Sequence, residues 1–344
     1  MWRIFPVSII CVLFTTGCAR ETGMDRHNRY SRTEPLMGTF VRIIVPERRR
    51  TNGDPPGDAV KAVNGAFQLA SALEKKFNIY DPKSEINGLN IAKDRSVSPE
   101  LFDLVQKAKN MSRLTNGAFD MTVAPILKAE GFYENMPGYI LEEIPGEFDG
   151  KGWEGVVLSS DRTNVALGDG VWMDLSGIAK GYIVDRMADL LRGKGIRRFL
   201  INAGGDIYCG RKKGHGKWMI GLRAPGTEKI LLTLAVEEMA VATSGDYENW
   251  VVDESTGKAS SHIMDPSRQA AVEKRFSSVT VITRTCTEAD ALATGMMAMG
   301  RDKVIALVDT IGGVEAIVVT SDGKGGHSVD RSGGAREYMA GGQK

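Results

Sequence analysis

The sequence predicts a mixed α/β (α+β) fold, with helices layered on mixed β-sheets. Three observations carry this. Amphipathic stretches at helical spacing are interspersed with short β-branched runs. Those runs show no regular βαβ rhythm, and no internal repeat or heptad run is present. The 344 residues can bury an ordinary core as one domain or as two smaller units, without a disulfide framework.

Each element follows from its residues. Thr39–Val45 (TFVRIIV) is β-branched and reads as a strand. From Ala59 to Phe77 the apolar residues Val60, Val63, Phe67, Ala70, Leu73 and Phe77 recur at helical spacing. A second helix starts at the N-cap Ser98 with Pro99 in its first turn, and Gly117 lies beyond its end. Residues 131–153 mix Gly, Pro and acids and read as an insertion or linker. A third helix after DLSGIAKG carries Ile183, Met187, Leu190 and Leu191 and stops at Gly193 or Gly195. FLINAGGDIYCG, WMIGLRAP, ILLTLAVEEMAVATS and SSVTVITRT read as strands. EADALATGMMAMG and DKVIALVDT read as helices before a last strand, VEAIVVT.

The ends differ from the middle. Residues 1–17 hold Arg3 and an apolar run from Ile4 to about Thr16, too short to span a bilayer and suited to a lipoprotein signal peptide. The run closes on TTGC, so Cys18 is the expected lipidation site, with Thr15 where leucine is usual. Residues 18–33 read as a tether, 34–320 as the folded domain or two subdomains, and 321–344 as a mobile glycine-rich tail. This places the protein in the bacterial periplasm, lipid-anchored to the inner membrane.

The formal net charge of +1 argues against nucleic-acid binding. Four His and four Cys, with no CxxC or HExxH, argue against zinc. Cys209 and Cys286 sit in apolar contexts that suit buried thiols; the sequence leaves a disulfide between them open.

Several short constellations could carry chemistry. DLSGIAKG places Asp174 and Lys180 six residues apart on either side of flexible glycine-containing backbone, where Asp174 could accept hydrogen bonds from a ligand or orient Lys180; this suits a phosphate or metal site and equally a charged turn. TNGAFDMTVAP, viewed alone, reads as a helix C-cap glycine, a core phenylalanine and an Asx turn, with Pro125 ending the element; NAGGDIY, a strand into a Gly-Gly turn, reads equally as close packing or as ligand contact. His262 lies beside Asp265 and could shuttle a proton or serve structure. Asp290 and Thr294 are four apart and share a helix face, an oxygen pair suited to Mg²⁺. The competing reading makes Thr287 and Asp290 a capping box.

The order of these motifs is more telling than any one. MGTF, YDPKSEINGLN, TNGAFDMTVAP, DLSGIAKGY, NAGGDIY, ATSGDYENW, HIMDP and ADALATG run from Met37 to Gly295. The chain resembles the ApbE family of FAD:protein FMN transferases. The resemblance implies cleavage of the FAD pyrophosphate, transfer of FMN to a Thr or Ser hydroxyl of an acceptor protein, and release of AMP. It implies FAD as substrate, contacted by Met37, Tyr80, Ala118, Phe119, Asp120, Asp174, Lys180 and Ile263. It implies Mg²⁺ held by the Gly177 carbonyl, Asp290 and Thr294, with His262 as catalytic helper. The implied acceptor is a membrane redox-pump subunit. Ala293 stands where some family members have a second acid, and DPSRQ lacks their usual Thr-Gly. Two other functions share the flavin contacts: an FAD-storing lipoprotein without chemistry, and an FAD pyrophosphatase releasing FMN and AMP. A storage protein has no use for the Asp290–Thr294 pair.

Overall fold

A computed structural model describes residues 2–4, 21–24, 29–46, 57–134, 136–148, 152–212, 216–246, 250–253, 259–272, 278–322, 324 and 326–340. Its centre is a nine-stranded sheet: β1 (Glu21–Met24), β2 (Tyr30–Leu36), β3 (Thr39–Val45), β4 (Leu200–Ala203), β5 (Asp206–Cys209), β6 (Met239–Gly245), β7 (Ser278–Thr283), β8 (Glu315–Ser321) and β9 (His327–Arg331). Spatial order equals chain order, and every neighbouring pair is antiparallel. Helices α1 (Gly57–Phe77), α2 (Glu85–Ala92), α3 (Pro99–Leu114), α4 (Ala124–Ala129), α5 (Gly138–Glu143) and α6 (Ser176–Gly193) all lie between β3 and β4. Helices α7 (Cys286–Met299) and α8 (Arg301–Val308) lie between β7 and β8.

The alternation of strand side chains divides the core. On β8, Ala316 and Val318 join the cluster under α1, α3, α6 and α7, while Ile317 and Val319 face a second cluster. That second face is covered by the hairpin Trp218–Arg223/Ile230–Val236 and by the turn Gly333–Tyr338. Burial on both faces fits the continuous apolar run Ala316–Val319 and the burial of all six residues of Ser278–Thr283. A third cluster joins Ile79, Tyr133, Ile140, Trp172 and Met264 around α4 and α5.

Several expectations change. Residues 321–344, expected to be a mobile tail, supply β9 and, in Ala335 and Met339, buried members of the second core, through residue 340. The glycines there had hidden a strand whose partner is the adjacent β8. The expected tether, residues 18–33, contributes the edge strand β1 and the start of β2, because Glu21–Met24 pairs with Tyr30–Thr33. Pro125, expected to end an element, opens α4, where its missing N–H costs nothing. Ser98 and Pro99 cap α3 as expected. Cys209 and Cys286 are buried and not bonded to each other. Cys18 and the apolar run beyond Ile4 lie outside the described residues; Trp2–Ile4 pairs with Trp250–Asp253.

Candidate active site at the α6–α7 contact

The two segments singled out on sequence, DLSGIAKG and ADALATG, meet. Gly177 and Gly181 are one helical turn apart on α6, and they face Thr294 and Asp290, one turn apart on α7. A Cβ at Gly181 would lie 2.2 Å from the Cys286 carbonyl oxygen and 2.8 Å from Asp290 Cβ. At Gly177 it would lie 3.3 Å from Phe119 and from Thr294. The glycines therefore serve close helix contact. The expectation of flexible backbone around them fails, because α6 already begins at Ser176.

The Gly181 N–H donates to Asp290 Oδ2 at 2.8 Å. In a regular helix that N–H would serve the carbonyl four residues back, which is Gly177. Asp290 thus competes with the Gly177 carbonyl for this donor, and Thr294 lies against Gly177 one turn away. The Gly177 carbonyl, the Asp290 carboxylate and the Thr294 hydroxyl would make an all-oxygen set of the kind that could hold a Mg²⁺ ion. Among the described residues there is no group of three or more His, Cys, Asp or Glu that could hold a metal.

The capping-box reading of Asp290 is overturned. The N-cap of α7 is Thr285, whose hydroxyl accepts from the Glu288 N–H at 3.3 Å. Thr287 instead donates its hydroxyl to Asp185 on α6 at 2.5 Å, and Asp185 also accepts the Cys286 and Thr287 N–H groups, each at 2.8 Å. Asp290 is left for the site.

Lys180 projects from the same turn. Its ammonium bonds Asp206 and lies 3.7 Å from Asp290 Oδ1. Burial works to lower its pKa, but the Asp206 and Asp290 carboxylates outweigh burial and hold the ammonium above its ordinary value. Asp206 was not among the predicted site residues. Its signal was an acid directly after the Gly204–Gly205 turn, two residues before Tyr208, which places both on the helix-covered face. The expectation that Asp174 could orient Lys180 fails: Asp174 accepts the Ser176 N–H at 2.8 Å and the Tyr133 hydroxyl at 2.5 Å.

The TNGAFD segment closes on the same place. Phe119, which is buried, touches the Gly177 position, and a Cβ at Gly295 would lie 2.9 Å from its main-chain nitrogen. Ala118 precedes it, half-buried. Asp120 Oδ1 accepts from the Thr122 N–H and hydroxyl, and Oδ2 accepts from the Trp153 N–H at 3.2 Å. Burial pushes its carboxyl up, against these hydrogen bonds. Residues 131–153, expected to be an insertion, therefore support two site acids, through Tyr133 and Trp153.

Tyr80 stands edge-on to Tyr133, with centroids 5.9 Å apart, and is 47% exposed. Burial and, second, the Asp174 charge push its phenol up to about 12, so it stays protonated at neutral pH. Ile263 is buried in the main core and Met264 packs in the cluster of Tyr133, with half-buried His262 preceding them. Met37 is the outlier: it tips the β2–β3 hairpin and bonds α1 rather than the α6–α7 contact. Two cavities of about 170 and 290 Å³ both border Arg284, and neither is lined by a predicted site residue.

Comparison with known proteins shows the family. The ApbE family model matches residues 37–318. The FAD:protein FMN transferase of Vibrio cholerae is 32% identical over 333 residues, covering 93% of this chain and 95% of its own. The enzyme of the same name from Escherichia coli K12 is 32% identical over 334 residues, covering 92% of each. The crystal structure of the Thermotoga maritima ApbE protein superposes with a TM-score of 0.77 at 29% identity, covering 91% of this chain and 99% of that one. The flavin transferase ApbE from Vibrio cholerae gives 0.73 at 26% identity, covering 90% and 98%. The chain belongs to the ApbE family.

Proposed function

We propose that this chain is an FAD:protein FMN transferase. The observation that supports the reading is the α6–α7 contact, where Asp290 and Thr294 lie against Gly181 and Gly177 and the Lys180 ammonium stands 3.7 Å from Asp290 Oδ1. The names of the relatives supply the reaction class. The acceptor hydroxyl oxygen attacks the phosphorus bearing riboflavin. A new phosphoester P–O bond forms, the bridging P–O bond breaks, and AMP leaves with the electron pair. The nucleophile belongs to the acceptor, so the chain needs no nucleophilic triad of its own.

The chain's residues bind, orient and move a proton. Lys180 is a fixed positive charge for the diphosphate, and positioning with charge stabilisation does most of the work in phosphoryl transfer. Asp174 and Phe119 frame the ligand beside α6; Met37, Tyr80, Ala118, Asp120 and Ile263 complete its contacts. His262 accepts the hydroxyl proton. A Mg²⁺ ion bound by Gly177, Asp290 and Thr294 would neutralise charge on the phosphate oxygens. The acceptor is a membrane redox-pump subunit carrying a Thr or Ser flavinylation site. Lipidation of Cys18 anchors the mature protein to the inner membrane on its periplasmic side; loss of the leader takes Trp2–Ile4 off the Trp250–Asp253 strand.

Incubation with FAD, Mg²⁺ and a candidate acceptor, followed by mass spectrometry of the acceptor, tests the reading. Covalent FMN on the acceptor and stoichiometric AMP are expected. Equal release of AMP and free FMN with or without acceptor would make the chain a pyrophosphatase, and tight FAD binding with no AMP a storage protein. The mass of the mature amino terminus tests lipidation.

A further inference from the structure

The site holds a cation of its own. Asp206 and Asp290 have side chains only 4% and 6% exposed, and they come from different elements, β5 and α7. Two buried carboxylates facing one region repel each other unless a positive charge lies between them. Lys180 supplies it, unequally: its ammonium is in direct contact with Asp206 but stands 3.7 Å from Asp290 Oδ1, and its side chain is 29% exposed. The tight side anchors the lysine; the loose side faces the carboxylate that joins Gly177 and Thr294.

We propose that Lys180 is a tethered stand-in for the divalent ion, held by Asp206, that neutralises Asp290 in the metal-free protein and yields it when the ion binds. The inference rests on the reading of Asp290 as a metal ligand. Lys180 and the ion then compete for one carboxylate, so the lysine weakens metal binding while it stabilises the empty site. Because Asp206 keeps hold of the ammonium, release from Asp290 leaves the charge beside the ion, where a diphosphate needs it. Asp206 is accordingly a positioning residue, acting through Lys180.

Titration calorimetry with MgCl₂ and thermal unfolding with and without Mg²⁺ test this on the full chain and on Lys180→Met, Lys180→Arg and Asp290→Asn. Lys180→Met is expected to bind Mg²⁺ roughly tenfold more tightly than the parent, since a competitor of like charge is gone. Its metal-free unfolding temperature should fall, and its rise on adding Mg²⁺ should exceed the parent's. Lys180→Arg should keep the parent's weaker affinity. Should Lys180→Met fold only with Mg²⁺ present, that too supports the stand-in role; failure to fold even in excess Mg²⁺ overturns it. Equal or weaker Mg²⁺ binding by Lys180→Met, with binding lost in Asp290→Asn, overturns the competition and leaves the metal site standing. Unchanged Mg²⁺ binding by Asp290→Asn overturns the metal site itself.

Discussion

Glu74 Oε1, on α1, accepts a hydrogen bond of 2.6 Å from the main-chain N–H of Met37. Met37 and Gly38 are the two-residue loop between β2 and β3, with φ of 55° and 68°. Two positive φ values suit the twist of a hairpin but penalise a residue with a Cβ, by about 1 kcal/mol. Asparagine or glycine is the usual solution, so a methionine there points to a use for its side chain. Glu74 is what pins the unfavourable conformation from the neighbouring layer.

If Met37 contacts the flavin substrate, Glu74→Ala should weaken FAD binding by about tenfold, or ~1.4 kcal/mol, with kcat little changed. Glu74→Gln keeps an acceptor oxygen and should restore most of the affinity. Quenching of flavin fluorescence on titration reads both. An unaltered Kd in Glu74→Ala would separate the hairpin tip from the flavin site.

The helix contact makes a graded prediction. Gly181→Ala puts a methyl 2.2 Å from a backbone oxygen that cannot swing away, whereas Gly177→Ala meets side chains at 3.3 Å. Overpacking of the first kind costs on the order of 1–3 kcal/mol or more. Gly181→Ala should therefore lower the unfolding temperature by several degrees and abolish transfer, while Gly177→Ala leaves the fold near parental stability. Comparable melting of the two variants would contradict the close approach.

How far the sequence revealed this site depends on the kind of contact. Asp290 and Thr294 could be placed on one helix face from spacing alone, and the order of motifs pointed to the family. That Gly177 and Gly181 are helical was not legible, because a glycine marks a turn and a close helix contact with the same letter. Asp206 and Tyr133 were missed for a second reason. Each reaches its partner across the fold, Lys180 and Asp174 respectively, and pairing between distant elements leaves no local periodicity. The strand of the tail was hidden likewise: β9 is recognisable only beside β8.

Tyr133→Phe removes the hydroxyl that Asp174 accepts at 2.5 Å, in a carboxylate only 6% exposed. Leaving a buried acceptor short of a partner costs about 1–3 kcal/mol. Tyr80→Phe removes a 3.3 Å bond to the Phe132 carbonyl from a residue nearly half exposed, and should change stability by no more than about 0.5 kcal/mol. Urea midpoints of the two variants give the comparison. Equal effects would detach residues 131–153 from the support of Asp174.

Asp185 sets a pH dependence at the start of α7, where it accepts from the Cys286 and Thr287 N–H groups. Burial raises its carboxyl above the ordinary 3.8, outweighing the hydrogen bonds from Thr287 and Cys286, and the Asp189 charge pushes the same way. A raised pKa means the folded chain holds this proton more tightly than the unfolded chain. The stability it contributes is full below about 3.8 and is lost as pH rises through the folded value. Asp185→Asn keeps an oxygen for the α7 N–H groups and has no charge to desolvate. The stability of Asp185→Asn relative to the parent should therefore increase from pH 3.8 upward and level off once the parent's carboxyl is ionised. Urea unfolding at a series of pH values measures this difference. A relative stability that falls with rising pH would mean that the positive end of α7 favours the carboxylate more than burial penalises it.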